Sequence, residues 1–513
     1  MTPRRHLALL AVALAAAVAC DDSRKPGTCD LAAQSGCDAG LRCEEVVGGL
    51  PGCFDPVFVT GRVFDLASGV GLASARVVAL DVDGAPASRI GLSAAATEPV
   101  PGAYALALPV PRLAGGAPAP ASFTLRADRS GYATFPGGLR TALPVSGAVA
   151  VHGTGRWTIA TSQTDLGLSA LPAAPAGQVA GTVSLPAAGV GVLLVAEETT
   201  SHAGLTGVPG SDGAFTIFNV PDGTYQVRAF APGVNYGPVT VVVDAGVAAP
   251  ASAALAITAT PTATVGGSVQ LVASTAWNQT SVLLVVASTY DPARVRGVAP
   301  PGLRASGITG TWSIAGIPDG HYRVLAAFET DYLVRDPSDI GGTAVLEFQV
   351  VNGAPRLMDG TTSAATLQGF KITGALRLTA PLRAADGSCT TVAAASLPVD
   401  PAGLLPGACT TASAAPAFGW ETYAATDLYR VTVVDEQGTV TWQADVDKGS
   451  SSTSYGAAVG TAGVSATLVP PQPLVAFRTY QLKVASLKTT GGGSTLSSSE
   501  DLLGVFTYGP VVP

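Results

Sequence analysis

FTIFNVPDGTYQVRAF, residues 215–230, returns ninety-seven positions later as WSIAGIPDGHYRVLAAF, residues 312–328. In both phrases apolar residues recur at every second position, the spacing of a strand with one buried face. Pro-Asp-Gly divides each phrase, at 221–223 and 318–320. Proline presets φ for the first corner of a turn, and glycine tolerates φ > 0 at a later one. Each phrase therefore predicts a hairpin whose second strand begins near Tyr225 or Tyr322.

The chain around these phrases repeats as well. Gly-x-Val opens three units, at Gly61–Val63, Gly181–Val183 and Gly267–Val269. A second apolar strand follows at Ala75, Val192 and Val282, and edge-like strands from Val239 and Val345 close units two and three. Unit one keeps Tyr104, Gly131 and Tyr132 but has a proline-rich insert in place of Pro-Asp-Gly. From Val57 onward, alternating runs are broken by Gly, Asp and Pro, and no run of ten or more has helical spacing with caps. The fold expected is all-β: tandem small β-sandwiches, immunoglobulin-like or transthyretin-like, strung like beads.

This pattern resembles the carboxypeptidase regulatory-like domain, a transthyretin-like β-sandwich. The matching residues are Gly181, Val183, Phe215, Pro221, Gly223, Tyr225 and Val227 in unit two. In unit three they are Gly267, Val269, Trp312, Pro318, Gly320, Tyr322 and Val324. The resemblance implies three such domains, at 57–172, 177–257 and 262–352. It implies the accessory module and not the zinc peptidase beside which that module often occurs. Its matched positions are turn and core residues, so it is nearly silent on function.

The last third changes character. Residues 353–411 read as a connecting segment, either an extra strand pair or an elaborate linker, with a loop closed by Cys389 and Cys409. Beyond it, Trp420, Tyr429, Val431, Val433, Trp442, Tyr455, Leu468, Tyr480 and Val484 resemble the core and the Leu…Tyr corner of a fibronectin type III-like sandwich over 412–510.

The first twenty residues address the chain. Arg4 and Arg5 precede thirteen apolar residues, Leu7 to Ala19, and then Cys20. A bilayer-spanning helix needs about 20. A positive start, a short apolar middle and small residues make a secretory signal over 1–19. Ala17-Val18-Ala19 fits ordinary signal peptidase. With Cys20 it also resembles a bacterial lipobox, with Ala17 in place of the usual leucine. Cysteine arithmetic favours the second reading. Of seven cysteines, Cys29, Cys37, Cys43 and Cys53 can pair among themselves in three ways, Cys389 can pair with Cys409, and Cys20 is left over. Lipidation accounts for it and makes 20–56 a lipidated, cysteine-rich tether. The location expected is the cell envelope, at the outer membrane or cell surface, with the periplasmic face of the inner membrane as the alternative.

Chemistry is sparse. A net charge of −8 without basic clusters argues against nucleic acid. His152, His202 and His321 stand apart, with no H-E-x-x-H, G-x-S-x-G or P-loop. The cysteine spacings do not match paired C-x2-C zinc ligands, so no metal, cofactor or catalytic residue is expected. Asp212, Asp222 and Asp319 read as turn aspartates bonding their own backbone, and Asp81-Val82-Asp83-Gly84 reads as a surface turn and not as a calcium loop, because the remaining oxygen ligands and the closing Glu are missing. Trp312, Trp420 and Trp442 fit core positions, while Trp277, on a polar loop, is the best candidate for ligand contact. The reading is a non-catalytic envelope lipoprotein that binds, adheres or assembles, with a polysaccharide or envelope protein as partner. The alternatives are a carbohydrate-binding lipoprotein, marked by a row of exposed rings, and a hydrolase accessory subunit, marked by clustered His, Asp or Glu.

Overall fold

The computed structural model describes residues 29–509, apart from 96, 138, 141, 172–174, 176, 188, 262, 274–278, 293–295, 328–331, 336–345, 359–366, 368, 399–407, 437, 490–493 and 501–502. Strands form almost all of its regular structure, in tandem β-sandwiches. In unit two, Ala214–Val220, Gly177–Val183 and Ala253–Leu255 form one sheet. Gly204–Gly207, Leu193–Glu198, Gly223–Phe230, Val239–Asp244 and Val247–Ala249 form the other. Unit three repeats the plan, with Ala263–Ala273 beside Thr311–Ile317 and Phe370–Gly374, facing a five-stranded sheet around Gly320–Ala326. In unit one, Val57–Asp65 lies between Ala103–Leu108 and the late strands Arg156–Ile159 and Leu166–Leu168. Each opening strand thus pairs antiparallel with a middle strand and parallel with a late one.

The Pro-Asp-Gly phrase does not make a hairpin. Ala214–Val220 pairs with Gly177–Val183, whereas Gly223–Phe230 pairs with Leu193–Glu198 and Val239–Asp244. The proline therefore turns an arch from one sheet to the other, and unit three does the same at Pro318. Positive φ falls earlier than expected, at Asn219 (57°) and Gly316 (67°). There one residue bulges out of the ladder, between the pairs Gly177↔Val220 and Gln178↔Phe218, and between Ala263↔Ile317 and Thr264↔Ala315. Gly320 serves close approach instead: a Cβ there would sit 2.6 Å from the Phe230 ring.

Both arches are tied in the same way. The Tyr225 hydroxyl donates to the Pro221 carbonyl and the Tyr322 hydroxyl to that of Pro318, each at 2.9 Å. The arch aspartates do not bond their own turns. Asp222 accepts the Gly246 N–H, and Asp319 accepts those of Asn352 and Gly353, all at 2.9 Å. Each arch is thereby clamped to the tip of the next hairpin. Asp212 and Asp81 do cap their own turns. Because Asp319 satisfies two backbone donors and Asp222 one, Asp319→Ala is expected to cost about 2–3 kcal/mol and Asp222→Ala about half that. Urea unfolding of the two variants, followed through amide exchange in units two and three, measures the difference.

The Gly-x-Val glycines explain the aromatic that follows each of them. Gly61, Gly181 and Gly267 pair directly with Tyr104, Phe215 and Trp312. In each case the ring lies over the glycine: a Cβ would come within 3.0 Å of the Tyr104 hydroxyl, 2.8 Å of Phe215 Cζ and 2.9 Å of Trp312 Cε2. The ring fills the space that the missing side chain leaves. Val179, Val183, Ile217, Val227 and Val241 complete the core of unit two, each contributing about 1.5–3 kcal/mol by burial.

The sandwiches follow one another along the chain, neighbouring ones touch, and the first also meets the last. The bulge of one unit docks on the turn that follows the arch-exit strand, or its counterpart, in the unit before. Asn219 accepts the Gly131 N–H at 2.8 Å and donates to the Tyr132 carbonyl at 2.9 Å. At the next joint the Gly233 N–H donates to the Gly316 carbonyl at 2.8 Å, and the Asp319 N–H to Asn235 at 2.8 Å. Leu193, Val195 and Phe230 of unit two pack into the core of unit three. Leu139 of unit one packs with Val434 and Val505 of the C-terminal sandwich.

Two segment boundaries differ from the sequence reading. Phe370–Gly374, placed in the connecting segment, is the late parallel strand of unit three. The C-terminal sandwich begins at Leu378–Ala380, which pairs with Ala417–Trp420, and Cys409–Thr411 joins its large sheet beside Val505–Tyr508. These strands are only three to five residues long, too short to show a period. The strands Val239–Asp244 and Leu346–Val351 are not edges either, since a short hairpin partner follows each, at Val247–Ala249 and Ala354–Leu357. Trp420, Tyr429, Val431, Val433, Trp442, Tyr455, Tyr480 and Val484 are buried, but Leu468 is exposed on an outer strand. The Tyr480 hydroxyl accepts the Val475 N–H at 2.8 Å, which ties that corner without Leu468.

Candidate functional site

The cysteine-rich segment pairs as Cys29–Cys43 and Cys37–Cys53, and the loop at 389–409 is closed by Cys389–Cys409. The sulfurs of Cys29, Cys37 and Cys53 lie within 4.8 Å of one another, but each is held in a disulfide and offers no thiolate to a metal. The segment is also more than a tether. Its hairpin, Arg42–Glu44 with Gly52–Phe54, docks on the proline-rich insert of unit one. The Arg112 N–H donates to the Glu45 carbonyl and the Val47 N–H to that of Arg112. The wholly buried Arg112 guanidinium stacks 5.2 Å from the Phe54 ring and donates to the Asp55 carbonyl at 2.6 Å. Glu44 is buried beside it. Burial raises its carboxyl from 4.5 to about 7, against the opposing pull of Arg112, Arg42 and the Val110 backbone. Cys20 and Trp277 lie outside the described residues.

An open groove of about 1110 Å³ lies where this module, unit one and unit two meet. Arg42, Asp81, Arg89 and Ser211 supply its polar lining, and Ile90, Leu106, Phe123, Pro109 and Pro111 supply apolar surface. Sequence reasoning missed it because its residues are scattered over 34–211 and none forms a motif.

A smaller pocket of about 300 Å³ lies between units two and three, lined by Glu197, Arg228, Asp319, His321 and Gln349. It meets the mark set for a hydrolase, clustered His, Asp and Glu from different strands. Its side chains are committed to one another, however. Glu347 lies 2.6 Å from His321 Nε2 and 2.8 Å from Arg323 Nη2, and Glu197 lies 3.4 Å from Arg228 Nε. Both Asp319 oxygens accept backbone N–H groups. The lining includes no serine, threonine, cysteine or lysine to act as nucleophile. The pocket is thus lined by charges that pair within their own sandwiches, Glu197 with Arg228 in unit two and Glu347 with His321 and Arg323 in unit three.

Exposed rings are also wanting. Among the described residues every Trp, Tyr and Phe is buried or half-buried. Trp312, Trp420 and Trp442 sit in cores, as expected. Half-buried Trp157 is covered by His152 at 4.6 Å between ring centroids, and His152 is held in turn by Asp55 at 2.8 Å.

Residues 178–287 match the family model of the ER membrane protein complex subunit 7 β-sandwich domain, spanning unit two and the first strands of unit three. No curated protein matches the chain in sequence. Among solved structures, it is similar to BcpA, the major pilin subunit of Bacillus cereus, at 10% identity over 62% of this chain and 100% of that one, with a TM-score of 0.17. The shaft pilin SpaA of Lactobacillus rhamnosus GG shares 12% identity over 63% and 98%, with a TM-score of 0.16. The Bacillus anthracis TIE protein shares 9% over 87% and 73%, with a TM-score of 0.14. The β-sandwich family model agrees with the repeated sandwiches, and among the described residues no helix is long and apolar enough to cross a membrane.

Proposed function

We propose that the chain is a non-catalytic envelope lipoprotein, anchored through Cys20, whose jointed sandwiches act as a scaffold for binding or assembly. The observation that carries this reading is the repeated joint. Equivalent bulges, at Asn219 and Gly316, dock on equivalent turns of the preceding unit. Conserving geometry between domains is what a scaffold requires, and independent binding modules on linkers would not need it. Leu193, Val195 and Phe230 of unit two, packed into the core of unit three, support the same reading. Within this scaffold the groove between the cysteine-rich module and units one and two offers a binding surface to an envelope partner. The finer resemblances, to carboxypeptidase regulatory-like and fibronectin type III-like domains, belong to this proposal.

Fractionation of cells carrying the wild-type chain or Cys20→Ser tests the anchor. The expected outcome is a membrane-bound wild type and a released variant. A wild type as soluble as Cys20→Ser would overturn lipid anchoring, and a disulfide-linked dimer through Cys20 would then be sought on non-reducing gels.

A further inference from the structure

The cysteine-rich module exposes large apolar side chains at its loop tips. Leu50 is 67% exposed and Val47 56%, both on the 45–51 loop between the two strands of the hairpin. Leu113, 43% exposed, stands next to Arg112, whose carbonyl receives the Val47 N–H at 2.8 Å. The backbone bridge between Val46 and Arg112 holds the two loops side by side. Leu31, also exposed, lies on the adjoining turn, which Gln34 ties to the Cys43 carbonyl. In a monomer such residues are ordinary when scattered, but several gathered on adjoining loops mark an interaction surface. No core needs them there, because Arg112, Phe54 and Glu44 already fill the buried side of the module.

The occupant follows from where the chain leads. The Cys29 Cα lies 5.7 Å from that of Cys43, and Val47 is four residues further on. Four residues reach at most about 14 Å, so Val47 lies within roughly 20 Å of Cys29. Nine residues separate Cys29 from Cys20 and reach at most about 32 Å. The loop tips are therefore within reach of the bilayer that would receive acyl chains on Cys20. Exposed Arg42 and Glu45 flank the patch with opposite charges, so an apolar rather than an electrostatic contact is favoured. We propose that the loop tips bearing Val47, Leu50 and Leu113 sit in the headgroup–acyl boundary of the membrane holding Cys20, and so orient the scaffold on its anchor. This rests on the lipoprotein reading above.

The test uses the full lipidated chain in vesicles of phosphatidylethanolamine and phosphatidylglycerol, with and without bromine on the acyl chains. Leu50→Trp is compared with Val247→Trp, which places a ring at an exposed hairpin tip of unit two. Bromolipid should quench the added fluorescence of Leu50→Trp and leave that of Val247→Trp unchanged. In addition, serine at Val47, Leu50 and Leu113 should lower vesicle partitioning of the unlipidated Cys20→Ser chain by at least about tenfold. If the lipidated protein floats with vesicles but Leu50→Trp is not quenched, the orientation proposal fails and the anchor stands. If the unaltered chain does not float at all, the anchor itself fails. A dimer lost in the serine variant, with no bromolipid quenching, would assign the patch to a second copy and overturn the proposal.

Discussion

Gly181→Ala is expected to destabilise unit two by at least about 3 kcal/mol, while Gly310→Ala stays within about 0.5 kcal/mol of the parent. A Cβ on Gly181 would lie 1.9 Å from the Ala253 carbonyl oxygen and 2.8 Å from Phe215 Cζ. The oxygen belongs to the parallel strand that closes the sheet, so relief requires moving backbone and not merely rotating a side chain. At Gly310 nothing lies within 4 Å and φ is not positive, so the same methyl meets only solvent. Because unit two contributes Leu193, Val195 and Phe230 to the core of unit three, the loss should spread. Calorimetry of Gly181→Ala should show both units melting at lower temperature. Unchanged melting of unit three would mean that the joint carries little coupling energy.

The second large effect is on pH. Glu44 titrates near 7 in the folded module, above its ordinary value of 4.5, chiefly because burial disfavours the carboxylate. An acid whose folded value is raised gives stability that is fully present below about 4.5 and is lost as pH rises through about 7. The difference corresponds to about 3 kcal/mol between these limits. Docking of the cysteine-rich hairpin on unit one should therefore weaken from pH 4.5 to 7 and level off above. Amide exchange over 42–54, corrected for intrinsic rates, reads this locally, where a global melt of several domains would blur it. Glu44→Gln should abolish the slope, since an amide does not ionise. A slope that persists in Glu44→Gln would assign the effect to another group.

Much of the fold was legible from local pattern. Alternating apolar residues require sheets with one buried face, and two copies of one phrase require two copies of one unit. The buried tryptophans were likewise readable, because Trp312, Trp420 and Trp442 fall on the inward beat of their strands. The cysteines announced the disulfides but not the partners within the first four, since residues 29–53 allow three pairings and only the folded hairpin places Cys43 opposite Cys53 while joining them to Cys29 and Cys37. Pro-Asp-Gly misled for a related reason. A proline turn between two alternating runs is compatible with a hairpin or an arch, and the choice depends on which distant strand each run meets. The groove was invisible because it is made of residues brought together from the module and two units.

Periodicity and local spacing were enough for the strand-rich class, the repeat, most of the inward residues (Leu468 excepted) and the pairing of Cys389 with Cys409. That Asp222 and Asp319 clamp neighbouring hairpins, that Asn219 and Gly316 join units, and that Glu44 is buried against Arg112 emerges only in the folded chain. Each of these depends on a polar group finding its partner across many residues. Burial makes an unmet hydrogen bond costly, so the fold, and not the neighbouring sequence, selects that partner.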